Sequence, residues 1–213
     1  GLFIGLICKY FPKAVKENGV HQVMHAVALN DGKVRKRTIA SCAVTSSITI
    51  GSGGSAGREG PTVQIGAAVG STIGQLLHLS TERMRVLVGC GAAAGIAASF
   101  NAPLAGVLFA LEIILGDFTI HTFSPIIIAS VIGTVTGRAL EGNEVTFNVP
   151  VHELVHPTEI IFYLALGMLC GIVARLFTFM YFYVQQVFEE KFSMPDLYKP
   201  AIGGLIVGII SIF

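Results

Sequence analysis

The 213-residue sequence has no tryptophan, few charged side chains and no clustered cysteines. Charged residues make up 13% of it, about half the ~25% of an ordinary soluble domain. That excludes a typical water-facing exterior and points to lipid as the solvent. The net charge of +1 excludes the strong basic field of a nucleic-acid binder. Without tryptophan, the aromatic anchoring role at a membrane interface falls to Tyr and Phe. The four cysteines, Cys8, Cys42, Cys90 and Cys170, lie far apart in apolar stretches. They lack CxxC or zinc-site spacing and read as buried free thiols, so nothing requires an oxidising compartment. The first ten residues, GLFIGLICKY, carry no initiator Met and no basic n-region, and are not expected to form a signal peptide. Both ends fall within apolar runs and read as cropped inside membrane helices of a longer protein.

What is present is 53% hydrophobic, arranged in runs near the ~20 residues a membrane helix needs. Leu2–Ile7 reads as the tail of one helix and Thr38–Ile50 as a short one, ending in the Gly/Ser stretch Gly51–Gly57. Thr62–Leu79 follows, closed by the polar residues Ser80, Thr81, Glu82 and Arg83. Val86–Phe100 breaks at Asn101-Ala102-Pro103, and Leu104–Leu115 resumes it. Phe123–Leu140 is a fuller span with Pro125 in its first turn, where proline is tolerated. Glu141–Pro157 reads as a polar loop, Glu159–Val187 as a long helix, and Pro200–Phe213 as the start of another. The fold class is all-α and polytopic, with tilted, broken helices. Lys9, Lys13, Lys16, Lys33, Arg35, Lys36 and Arg37 put the polar stretch Lys9–Arg37 on the cytoplasmic side. The helix after it then runs outward.

Interrupted helices are the pattern expected where half-helices meet at a midplane site, and broken backbone survives in lipid only inside protein or along a cavity. The break at Gly51–Gly57 leads into Gly57-Arg58-Glu59-Gly60-Pro61. A helix start there offers free N–H groups and a positive dipole end, which together suit an anion. Pro61 fits a first helical turn, and the glycines permit close backbone approach. Distributed amide dipoles can hold an anion and still release it. Glu59, an acid at that position, is a functional candidate by default: its carboxylate can occupy the same N–H groups and block the path until protonated. The plainer alternative is an N-terminal cap. Arg58 can contribute to the anion site, snorkel, or form a local ion pair.

Competing patterns are weaker. His152-Glu153-Leu154-Val155-His156 matches the H-E-x-x-H pattern of zinc proteases, but Pro157 directly after it opposes the helical geometry that both histidines need. Gly51-Ser52-Gly53-Gly54-Ser55-Ala56 loosely fits a dinucleotide fingerprint without the surrounding βαβ pattern or its acidic partner. His21 and His25 are four apart but lack further ligands. The small-residue run Gly91–Gly95 reads as close helix packing. A purely structural membrane subunit would need no acid at a helix start.

GREGPTVQIG (57–66) and GAAAGIAASFNAPLAGVLFALE (91–112) resemble two signature stretches of the CLC family of chloride channels and chloride/proton exchangers, and the similarity extends over most of the chain. The resemblance implies chloride-like anion transport without a cofactor and without enzymatic activity. It also implies a homodimer with one pore per subunit, embedded in the bilayer and built from two inverted repeats. On that reading residues 1–140 are first-repeat helices, 141–157 an inter-repeat loop, and 158–213 the opening of the second repeat. Glu59 matches the family's gating glutamate, Gly60 and Pro61 open the anion-facing helix, and Asn101, Ala102 and Pro103 match an inter-helix break. The family's Gly-Ser-Gly-Ile-Pro motif is replaced by Glu17-Asn18-Gly19-Val20-His21, which puts Asn18 where an anion-coordinating serine is expected. An exchanger's inner proton-transfer glutamate falls at Ile113, which leaves Glu112 as the substitute candidate. The second-half anion donors and a coordinating tyrosine are expected beyond Phe213.

Overall fold

In a computed structural model of the chain, the structure describes residues 19–143, 156–187 and 199–212. Among these residues every regular element is helical. The helices are α1 (Val20–Leu29), α2 (Arg37–Gly51), α3 (Glu59–Leu76), α4 (Thr81–Phe100), α5 (Pro103–Phe109), α6 (Ile120–Glu141), α7 (Glu159–Gln186) and α8 (Lys199–Ile210), and α5 runs into a π-helical turn, Ala110–Leu115. They divide into one unit holding α1–α6 and α8 and a second holding α7. Among the described residues three helices, α4, α6 and α7, are long and apolar enough to cross a membrane.

The centre of the first unit is the antiparallel pair α3 and α4, and glycine spacing explains their closeness. Gly66 and Gly70 on α3 lie against the backbone carbonyls of Gly91 and Leu87 on α4, while Gly95 meets the carbonyl of Thr62. A β-carbon at any of these sites would collide with backbone. Small residues four apart allow this contact in lipid, where dispersion must replace the hydrophobic drive between helices. The same device repeats between α4 and α6: a β-carbon at Gly133 would sit 2.8 Å from the Ala94 carbonyl, and one at Gly137 3.1 Å from that of Ala98. Buried hydroxyls add specificity, since Ser130 on α6 donates to the Pro103 carbonyl at 2.7 Å. The core fills the space between these backbones with Val63, Ala67, Val88, Ala92 and Ile96.

Several boundaries differ from the sequence expectations. Within the stretch read as a polar cytoplasmic segment, Val20–Leu29 is a helix that buries Val23, Ala26 and Val27. That i, i+3, i+4 spacing is the mark of a helix face, hidden among His21, Gln22 and His25. Helix α4 begins at Thr81 rather than Val86, with Ser80 in extended geometry before it; the polar residues read as a loop are its first turn. Helix α6 begins at Ile120, so Pro125 lies inside the helix instead of in its first turn. There the proline withholds the N–H that would reach the carbonyl of His121. Helix α3 starts three residues early, at Glu59.

The break expected at Asn101-Ala102-Pro103 is present. Asn101 ends α4 with φ +54°, a left-handed conformation that Asn tolerates, and Pro103 opens α5 at its first position. Asn101 also accepts a 2.5 Å bond from Arg138 Nε. In the second unit, α7 runs for 28 residues, about 42 Å at 1.5 Å per residue, and its apolar side chains are exposed.

Candidate functional site

Helix α2 ends at Gly51, and the chain turns through Gly53 at φ +76°. A bent segment, in which the Ala56 N–H reaches the Gly54 carbonyl at 2.9 Å, then delivers Arg58 and Glu59 to the start of α3. Thr62 is the first residue of α3 whose N–H is used within the helix, reaching the Arg58 carbonyl at 3.1 Å. Helix geometry therefore leaves the N–H groups of Glu59 and Gly60 without an intrahelical acceptor, and Pro61 has none to offer. Glu59 is exposed, in the first turn of α3. Its carboxylate folds back over Gly57, where a β-carbon would overlap Glu59 Oε2. The acid thus lies across the approach to its own helix start.

A second helix start meets this one. Gly19 precedes α1 with φ +107°, and a β-carbon at Gly60 would lie 3.7 Å from the Gly19 α-carbon. The two starts are held together by Gln64, which is fully buried on α3. Its Oε1 accepts the Gly19 N–H at 3.0 Å and the Cys42 thiol at 3.3 Å, and its Nε2 donates to Gln22 Oε1. Cys42 Sγ also lies 3.9 Å from the Pro61 carbonyl, so α2 braces the same junction. Gln64 was not singled out from the sequence. A lone glutamine in an apolar helix is itself the signal, because a buried amide needs partners.

Arg58, Glu59, Gly60 and Pro61 are thus gathered at the start of α3. Arg58 lies over the ring of Phe100 at the end of α4, with its guanidinium carbon 4.9 Å from the centroid, a cation–π contact. Asn18 lies outside the described residues, immediately before Gly19. Glu112 is exposed on the π-helical turn beside Ile113, and among the described residues no hydrogen bond joins it to the cluster at Glu59. Single-turn π segments of this kind are frequent at functional sites. His152 and Glu153 also lie outside the described residues, and His156 is exposed. His21 and His25 are both exposed on α1.

The helix-start geometry and the close-packed membrane helices agree with comparisons to known proteins. A sequence model of the voltage gated chloride channel family matches residues 1–213. The chain is 36% identical to a ClcB-like protein of Ralstonia nicotianae over 216 residues, covering 100% of this chain and 50% of that protein. It is 35% identical over 162 residues to the H(+)/Cl(-) exchange transporter ClcA of Vibrio cholerae, covering 75% of this chain and 34% of the transporter. Among solved structures, a CLC-type fluoride/proton antiporter superposes with a TM-score of 0.85 at 25% identity, covering 100% of this chain and 54% of that one. The chain belongs to the voltage gated chloride channel (CLC) family, and its fold is that of an integral membrane transporter of this family. It spans about half the length of the ClcB-like relative.

Proposed function

We propose that the protein containing this chain moves chloride or a similar anion across a membrane, and that the junction of the α1 and α3 starts is part of its anion path. The observation that carries this reading is the approach of Gly60 to Gly19, which brings two helix starts, far apart in sequence, to one point. Each contributes N–H groups and the positive end of a dipole. Together they favour an anion without the tight hold of a full countercharge.

Glu59 is the gate in this account. Its carboxylate competes with the anion for the N–H groups of the α3 start, and protonation removes that competition. Gly60 permits the close approach, Pro61 sets the helix direction, and Arg58 adds positive potential while stacked on Phe100. Asn18, next to Gly19, would donate a side-chain amide N–H in place of a hydroxyl. Glu112 is the candidate for a proton route if transport is coupled to protons, whereas Ile113 at the neighbouring position favours a channel or an unusual exchanger. The activity is transport and not catalysis, it calls for no cofactor, and the working unit is a homodimer in the bilayer.

The test is chloride efflux from vesicles containing the full-length protein. Efflux that responds to Glu59→Ala supports the reading. Protein that is folded and inserted but moves no anion would leave a structural subunit.

A further inference from the structure

One end of the first unit carries a concentration of positive charge that the anion path does not use. Lys33, Arg35, Lys36, Arg37, Arg83 and Arg85 are six of the fourteen Lys and Arg in the chain. The first four lie in the connection between α1 and α2 and at the start of α2, and the last two in the opening turns of α4. The two groups are brought together by backbone contact, since a β-carbon at Gly32 would lie 3.3 Å from the Arg85 nitrogen.

This connection is anchored. The Val34 N–H donates to Ser71 Oγ at 2.8 Å, Ser71 donates to the Gly32 carbonyl at 2.7 Å, and Gln75 donates to the Val34 carbonyl at 2.9 Å. With Gly32 and Val34 turned inward and buried, Lys33 and Arg35 on either side of Val34 are exposed. Asp31 and Glu82 are the acids of this end. Among the described residues no ion pair joins them or any other acid to the six cations. Arg85 Nε is buried with no hydrogen-bond partner, although the residue as a whole is only partly covered.

The position of the cluster selects its counter-charge. Helix α4 is a membrane-spanning candidate, so its opening turns lie at a bilayer face. The positive-inside rule makes that face the cytoplasmic one, whose leaflet presents anionic headgroups. We propose that this cluster is a binding surface for the phosphate headgroup of an anionic phospholipid, with Arg83 and Arg85 meeting the headgroup beside the anchored connection. A guanidinium suits phosphate by shape as well as charge.

The test uses the full-length protein purified from mixed phosphatidylglycerol and phosphatidylcholine, with retained lipid identified by native mass spectrometry. The Arg83→Gln, Arg85→Gln double variant leaves the connection's topology signal intact. The wild type should retain phosphatidylglycerol preferentially, and the preference should fall about fivefold per cation removed, given roughly 1 kcal/mol per surface Lys or Arg. Arg85→Lys, which keeps the charge but not the planar fork, should lose less of the preference than Arg85→Gln. An equal lipid ratio in the wild type and the double variant overturns the proposal, as does a loss in Arg85→Lys as large as in Arg85→Gln. Thermal stabilisation by inorganic phosphate in pure phosphatidylcholine, with no gain from phosphatidylglycerol, would reassign the cluster to a soluble anion and also overturn it.

Discussion

Gly60 and Gly19 face each other across the starts of α3 and α1, so closely that a β-carbon on Gly60 would stand 3.7 Å from the Gly19 α-carbon. Forty-one residues apart in sequence, they put two sets of helix-start N–H groups in one place. Gln64 fixes that relationship by accepting the Gly19 N–H at 3.0 Å from within α3.

Removing the Gln64 amide should loosen the junction. Gln64→Leu keeps the bulk but strands the donors now directed at Oε1, a cost of about 1–3 kcal/mol for a buried group left unpaired. Lower thermal stability together with weaker chloride binding by calorimetry is the expected pair of results. Loss of stability with unchanged chloride affinity would confine Gln64 to a packing role.

Neutralising Glu59 should change how transport responds to pH. Glu59→Gln mimics the protonated side chain at every pH, so vesicle flux should lose the part of its pH dependence that Glu59 supplies. Wild-type pH dependence persisting in the variant would remove Glu59 from gating. Reversal potentials measured in the wild type under a pH gradient separate the two transport modes. A shift with the proton gradient means coupling, and a potential set by chloride alone means a channel.

The α3–α4 contact leaves no room for a side chain at Gly91, which lies against the Gly66 carbonyl. Gly91→Val should therefore cost at least the ~1–3 kcal/mol of an overpacked interior. The expected signs are a lower melting temperature and a loss of monodisperse protein in detergent. Tolerance of valine at this position would mean the helices are further apart.

Asn101 offers a milder test of the α4–α5 break. At φ +54°, Asn101→Gly keeps a backbone conformation that glycine adopts freely and should cost only about 0.5–1.5 kcal/mol for the lost bond from Arg138 Nε. Asn101→Val loses the same bond and should destabilise by a further ~1–2 kcal/mol because its branched Cβ is disfavoured at positive φ, and equal melting temperatures for the two variants would contradict the assigned geometry.

Much of the membrane architecture was legible because its determinants are local. Glycine and proline at 57–61 mark a helix start, and Asn101-Ala102-Pro103 marks a stop and restart. Helix α1 was hidden because only Val23, Ala26 and Val27 are buried, while its polar residues and the neighbouring lysines match a solvated loop. The first turn of α4 was missed for a related reason, since Thr81, Glu82 and Arg83 are polar yet helical at a membrane boundary. The π turn at Ala110–Leu115 depends on packing against other helices, which no local pattern encodes. Glu59 was legible as a candidate, whereas the Gln64 brace was not, because its partners come from other elements, Gly19 and Gln22 from the start of α1 and Cys42 from α2.

The central claim concerns where an anion rests. Anomalous diffraction from bromide-soaked crystals of the full-length Glu59→Gln protein tests it most directly. The account predicts a bromide peak within hydrogen-bonding reach of the Glu59 or Gly60 backbone nitrogen, the side-chain change leaving that main-chain N–H in place. Well-ordered density for residues 57–64 with no halide near those nitrogens would contradict it.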